Sequence, residues 1–169
     1  MTRRAKFGEL NITLDGEELK VGDKAPEFKA INKDLSDYIS SEDDGKIKLI
    51  SVIPSIDTSV CEIQTSIFTK AAKEFSDNVV LITISNDLPF AQIRFCNVKD
   101  IEKNKFVSDY IYNDFGKKYN TIMNELQLLN RSVFVIDKDN TIRYVQYLSQ
   151  NSELPYTQRA IEAVKELDK

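Results

Sequence analysis

The chain has 169 residues, 41% of them hydrophobic, and 23 Lys+Arg against 27 Asp+Glu leave a formal charge of −4. That length fits one globular domain spanning residues 1–169, which buries roughly 70% of the surface its unfolded form exposes and needs neither disulfides nor metals merely to fold. The absence of histidine excludes a Ser-His-Asp triad, a Cys-His dyad and any His-ligated metal, and two cysteines alone complete no zinc or iron–sulfur site. A pI near 5.0, with no basic run beyond Arg3-Arg4, argues against nucleic acid as a partner. The positive start, Met1 to Lys6, is not followed by the apolar stretch of an export signal, and no run approaches the ~20 residues of a membrane helix. The expectation is a cytoplasmic protein without a membrane partner, in a compartment where a cysteine pair is more often redox-active than a static staple.

In chain order, Phe7 to Leu14 and Glu18 to Val21 flank Asp15-Gly16, a dipeptide suited to a tight turn, so a β-hairpin is predicted to open the chain. Leu35, Tyr38 and Ile39 stand at helical spacing within Lys33 to Ile39, and residues 42–45 read as an exposed turn. The β-branched run Ile47 to Ile53 predicts a buried strand ended by Pro54, which has no ladder donor. Ser55, Thr58 and Ser59 are good N-cap residues for a helix striped by Ile63, Ile67, Phe68, Ala71, Ala72 and Phe75. Val79 to Ser85 reads as a second buried strand. Asp87-Leu88-Pro89 starts a helix through Phe90, Ile93 and Phe95 that ends at Cys96. Farther on, helices are expected around Lys105 to Ile111 and Asp114 to Tyr119. Ser132 to Ile136 and Thr141 to Tyr147 form a hairpin about Asp137 to Asn140, and Tyr156, Ala160, Ile161, Val164 and Leu167 mark a closing amphipathic helix. A βαβ unit followed by antiparallel strands gives an α/β fold with a mixed central sheet covered by helices on both faces. This is the plan of the thioredoxin fold, here with an N-terminal β-hairpin.

Cys61 falls where the first core strand hands over to its helix. There, backbone N–H donors and the positive end of the helix dipole favour a thiolate, the nucleophilic form of sulfur. The block Pro54-Ser55-Ile56-Asp57-Thr58-Ser59-Val60-Cys61 places a threonine hydroxyl one helical turn before the thiol, able to bond the sulfur or an oxygen of a bound substrate. The blander readings are a core cysteine, an N-cap threonine and a strand-ending proline. A second thiol, Cys96, lies on another helix, so a disulfide to Cys61 requires the two segments to approach within roughly 7 Å between Cα atoms.

These blocks carry a resemblance over nearly the whole chain. Leu19-Lys20-Val21-Gly22-Asp23 with Ala25-Pro26, the Pro54 to Cys61 block continuing to Gln64-Thr65, Asp87-Leu88-Pro89-Phe90-Ala91 with Arg94-Phe95-Cys96, and Leu128-Leu129 with Arg131 together resemble the bacterial thiol peroxidases, an atypical two-cysteine branch of the peroxiredoxins. The resemblance implies a thioredoxin-dependent peroxidase with no bound cofactor and no metal. It makes Cys61 the peroxidatic residue and Cys96 the resolving residue, with Thr58 and Arg131 positioning the hydroperoxide and Pro54 shielding the turn. It further implies an intramolecular Cys61–Cys96 disulfide, local unwinding near one or both cysteines, thioredoxin as reductant and a homodimer. Taken alone, Arg131 reads as a surface arginine paired with a carboxylate. Two departures from the family pattern stand out: Asn97-Val98-Lys99-Asp100 where relatives have a small, Gly-containing segment, expected to alter how readily the second helix unwinds, and Asn130 where Ala is common. Phe90, Phe95 and Leu128 are candidate apolar walls for alkyl or lipid hydroperoxides. A redox sensor that reacts once with peroxide, and a structural disulfide in an exported protein, are the competing readings. The lack of a Cys-x-x-Cys pair weighs against an ordinary dithiol reductase.

Overall fold

The computed structural model describes residues 1–99 and 104–169. Of the Asn97 to Asp100 departure, Asp100 lies outside the described residues.

The chain opens with the hairpin β1 (Thr2–Phe7) and β2 (Leu10–Asp15), paired antiparallel. It turns at Gly8-Glu9, where Gly8 takes a φ of 62°, and not at Asp15-Gly16, which instead ends β2. Positive φ costs glycine little, and either glycine could have served; the turn goes to the one that lets Ile12 and Leu14 alternate into a small core with Met123.

The main sheet has seven strands in the order β11-β10-β5-β6-β7-β3-β4. At its centre β5 (Ile47–Val52), β6 (Val79–Ser85) and β7 (Asn104–Ser108) run parallel. On one side β10 (Ser132–Ile136) and β11 (Ile142–Tyr147) add antiparallel strands. On the other, β3 (Lys29–Asn32) and β4 (Asp37–Ile39) do the same. Every residue of β5 is buried, as expected of a strand covered on both faces. Helices α1 (Ser59–Ala72) and α4 (Thr157–Leu167) close one face over Leu49, Leu81, Val133 and Val135. The short α3 (Asp114–Lys118) covers the other over Ile50, Ile82, Phe134 and a stack of Phe28, Phe115 and Tyr119. Helix α2 (Pro89–Lys99) follows β6, and a two-stranded ribbon of β8 (Ile122–Met123) and β9 (Leu128–Leu129) completes the chain.

Two expected helices are strands. In Lys33 to Ile39 the backbone reverses, with Leu35 exposed at a φ of 72° and Ser36 held by the Asp34 carboxylate, so Tyr38 enters β4. The helix expected at Lys105 to Ile111 is β7 followed by a turn; its pairing with β6 and β3 outweighs a local pattern that is ambiguous over so few residues. Residues 40–43 form a 3-10 helix leading into a turn at Asp44-Gly45, and the exposed turn expected at 42–45 holds for Glu42, Asp44 and Gly45 but not for Asp43, which is buried and bonded by Tyr38 and Lys105.

Candidate active site

The carboxyl ends of β5, β6 and β7 share one edge of the sheet, the edge at which α/β folds place ligands. Because β10 runs antiparallel to β5 and Ser132 pairs with Val52, Arg131 enters at this same edge. The site is thus assembled from the loops leaving β5 and β6 and the turn entering β10.

Pro54, two residues past the end of β5, is buried. Thr58 is the N-cap of α1: its Oγ1 accepts the Cys61 N–H at 3.2 Å, and its hydroxyl donates to the Ser55 carbonyl at 3.4 Å. Cys61 is the third residue of the helix and fully buried. The N-cap reading of Thr58 holds, and the cap fixes its hydroxyl one turn from the thiol.

The loop that carries Thr58 is braced by Asp87. Its carboxylate accepts from the Ser55 hydroxyl at 2.9 Å, the Ile56 N–H at 2.8 Å and the Ser85 hydroxyl at 2.6 Å. Sequence reasoning used Asp87 as the start of α2 and as part of a family block, and missed this role. Two of its three acceptor bonds, from Ser55 and Ile56, span 32 and 31 positions, and no local pattern announces them.

Cys96 is buried on α2. Both thiols are free, and they belong to one apolar cluster with Ile53, Ile56 and Phe106, flanked by Ala91 and Phe95. Burial pushes the Cys96 thiol up from its ordinary value, opposed by the charge and hydrogen bond of Lys33. On the surface above, Arg94 of α2 meets Asp57 at 3.7 Å, an exposed pair that holds the two cysteine-bearing segments together only weakly.

Arg131 is not the surface arginine of the simple reading. It is 1% exposed, and among the described residues no carboxylate pairs with it. Its Nε donates to the Asn151 carbonyl at 2.8 Å and its Nη1 to Gln64 Oε1 at 3.0 Å, while Gln64 in turn donates to Ser51 at 2.9 Å. Gln64 lies one helical turn beyond Cys61 on the same face of α1, so the guanidinium is docked against the first turns of the helix that bears the thiol. Asn130, the departure from the usual Ala, donates to Leu148 and Asn151. Of the candidate apolar walls, Phe95 lines the cysteine cluster and Phe90 is exposed, whereas Leu128 packs against the N-terminal hairpin.

A thiol near a helix N-terminus, a second thiol in the same apolar cluster and a buried guanidinium held by neutral acceptors define a thiol-based redox centre on a thioredoxin-type sheet. The Redoxin family model matches residues 20–164. The thiol peroxidase of Halalkalibacterium halodurans is 46% identical over 154 residues, 91% of this chain and 92% of its own, and that of Bacillus subtilis 43% identical over 158 residues, 94% of each. The crystal structure of a peroxiredoxin-like protein from Aquifex aeolicus superposes with a TM-score of 0.90 at 36% identity, covering 98% of this chain and 97% of that one. The chain belongs to the redoxin family, and within it is a thiol-dependent peroxidase of the peroxiredoxin type. No helix among the described residues is long and apolar enough to cross a membrane.

Proposed function

We propose that the whole chain, 1–169, acts as one domain that reduces H2O2 and organic hydroperoxides through Cys61, with Cys96 as the resolving thiol and thioredoxin as reductant. The observation that carries this reading is the placement of two free, buried thiols in one apolar cluster at the sheet edge where Arg131 enters with no carboxylate paired to it among the described residues. The Cys61 thiolate attacks the terminal peroxide oxygen. The O–O bond breaks, the leaving oxygen takes a proton to become water or an alcohol, and the sulfur is left as a sulfenic acid. Thr58 and Arg131 hold the peroxide oxygens, and the guanidinium charge favours both the thiolate and the departing oxyanion. Pro54 shields the turn from solvent.

Cys96 then condenses with the sulfenic acid, releasing water and closing the disulfide. Both thiols are buried in separate helices, so the step requires local unwinding. Helix α2 is the weaker of the two, since among its described side chains only Pro89, Gln92 and Cys96 are fully buried. A dithiol partner reopens the bridge by exchange. The proposal extends to a homodimer working in the cytoplasm.

The test is peroxide consumption coupled to thioredoxin and its reductase, with H2O2 and cumene hydroperoxide compared. Wild type is expected to turn over many equivalents, Cys61→Ser none, and Cys96→Ser one before it stalls as a sulfenic acid. Turnover by Cys61→Ser overturns the assignment of the peroxidatic thiol, and a wild type that stops after one equivalent is a sensor and not an enzyme.

A further inference from the structure

Asn151, just beyond β11, is fully buried, and each of its polar atoms is used. Its Oδ1 accepts the Arg131 N–H at 2.6 Å and the Asn130 side-chain amide at 2.8 Å. Its carbonyl accepts Arg131 Nε at 2.8 Å. Its own N–H and Nδ2 both donate to the carbonyl of Lys6 in β1, at 2.8 and 3.0 Å, beside the bridge that pairs Lys6 with Gln150. One residue thus grips Arg131 at its main chain and at the base of its guanidinium, and is itself anchored to the N-terminal hairpin.

The chemistry of that grip matters as much as its geometry. A buried arginine is ordinarily matched by a carboxylate, because an unpaired charge is costly away from water. Here the acceptors on the guanidinium are a carbonyl and the Gln64 amide, which fix its direction without cancelling its charge. An arginine has several rotatable bonds and no intrinsic preference for the sheet edge. The bonds at Nε and Nη1 remove most of that freedom before substrate arrives, the bond at the main-chain N–H fixes where the side chain starts, and such preorganisation is what makes electrostatic stabilisation effective.

We propose that Asn151 is a positioning residue for the peroxide step, aiming the Arg131 guanidinium at the carboxyl edge of the sheet and tying it to the first strand of the hairpin. This rests on the assignment of Arg131 to that step. The hairpin, remote from both cysteines in sequence, then becomes part of the support of the active site.

The experiment is a double-mutant cycle on the full chain carrying Cys96→Ser, which isolates the first turnover. Oxidation of Cys61 by H2O2 is followed by dimedone trapping of the sulfenic acid and mass spectrometry. Asn151→Ala keeps the main-chain carbonyl but removes the Oδ1 and Nδ2 bonds that hold it in place against Arg131 and Lys6, and is expected to slow the step roughly tenfold to a hundredfold when Arg131 is present, the size of effect that misplacing a reacting partner produces. With Arg131→Ala in the background, adding Asn151→Ala is expected to change the rate by less than about twofold, because the group it positions is gone. Asn130→Ala, which removes a neighbour of Oδ1 without touching the guanidinium, is expected to stay within about twofold of the parent. Equal slowing by Asn151→Ala in both backgrounds means a merely structural role and overturns the proposal, as does no slowing at all. If Arg131→Ala alone leaves the rate intact, the assignment of Arg131 fails and the proposal fails with it. Should Asn151→Ala not fold, Asn151→Ser retains a hydroxyl acceptor and carries the same cycle with a smaller loss.

Discussion

Cys96 illustrates how one side chain is pulled two ways. Burial favours its neutral thiol, while Lys33 beside it favours the thiolate. The thiolate is the form that condenses with a sulfenic acid, so the net upward shift means that only a small fraction is reactive near neutral pH. Disulfide formation after the first turnover should therefore accelerate as pH rises above neutrality. Lys33→Met removes the opposing charge and should move this profile further to alkaline pH, slowing the disulfide step at pH 7 and leaving the preceding oxidation of Cys61 unchanged. Rapid-quench alkylation at several pH values, counting free thiols, distinguishes the two steps; an unaltered profile in Lys33→Met would show that the lysine does not act on the thiol. Arg131 is the contrasting case. In the proposed mechanism its contribution depends on direction, which the bonds to Gln64 and Asn151 would set.

At the scale of elements, α1 and α2 carry one cysteine each but are held very differently. Helix α1 begins with a side-chain cap at Thr58, buries Cys61, Gln64 and Thr65, and packs Phe68 and Ala72 against the sheet and α4. Helix α2 sets Phe90 in solvent and buries the polar Gln92, whose Oε1 has no hydrogen-bond partner among the described residues. Its opening therefore forfeits less apolar burial, and local stability follows such differences. Hydrogen exchange on the reduced protein should show the amides of Gln92 to Cys96 exchanging well before those of Thr65 to Ala72. Equal protection of the two helices would place the rearrangement at Cys61 instead. The sequence signals differ in the same way: α1 was legible from its cap residues and apolar stripe, α2 from Asp87 and Pro89 at its start, whereas β3, β4 and β7 had no alternation long enough to separate strand from helix. Their identity comes from partners across the sheet, with Ile31 paired to Ser108 and Leu81 to Asn104.

For the whole molecule, the edge that holds the active site also holds Asp109, one residue past β7. Its carboxylate accepts the N–H groups of Phe115 and Gly116 at 3.1 and 2.8 Å, yet burial pushes its pKa up to about 6 from 3.8. The folded state therefore binds this proton more tightly than the unfolded state does. The stabilisation from Asp109 is fully present below about pH 4 and is lost as pH rises through about 6. Asp43 and Asp137 act in the opposite sense: burial pushes their carboxyls up, but hydrogen bonds and neighbouring cations together outweigh it and hold them below the usual range, so their contribution fades in acid. Comparison with Asp109→Asn separates the two trends. The stability of wild type relative to the variant, measured by urea denaturation from pH 4 to pH 7.5, should be greatest at the acid end and shrink toward neutrality. A constant difference would mean that Asp109 does not titrate in this window.

By itself the sequence determined the features that are local in the chain. These are the buried runs of β5, β6 and β10, the closing helix with Ala160, Ile161 and Val164 on its inner face, and a thiol in the first turn of a capped helix. Each follows from a period, a cap or a proline within a few residues, and the family resemblance rests on the same short blocks. Only the tertiary structure decided which glycine turns the first hairpin and that Asp87 braces the loop of Thr58. It alone also decided that Arg131 is buried and, among the described residues, paired with no carboxylate. Arg131 is bonded to residues 20 and 67 positions away, and Asn151 to one 145 positions away. Hydrogen bonds over such separations leave no imprint on local composition, because they exist only once the sheet has brought the ends of β5, β10 and β11 and the hairpin strand β1 to one edge.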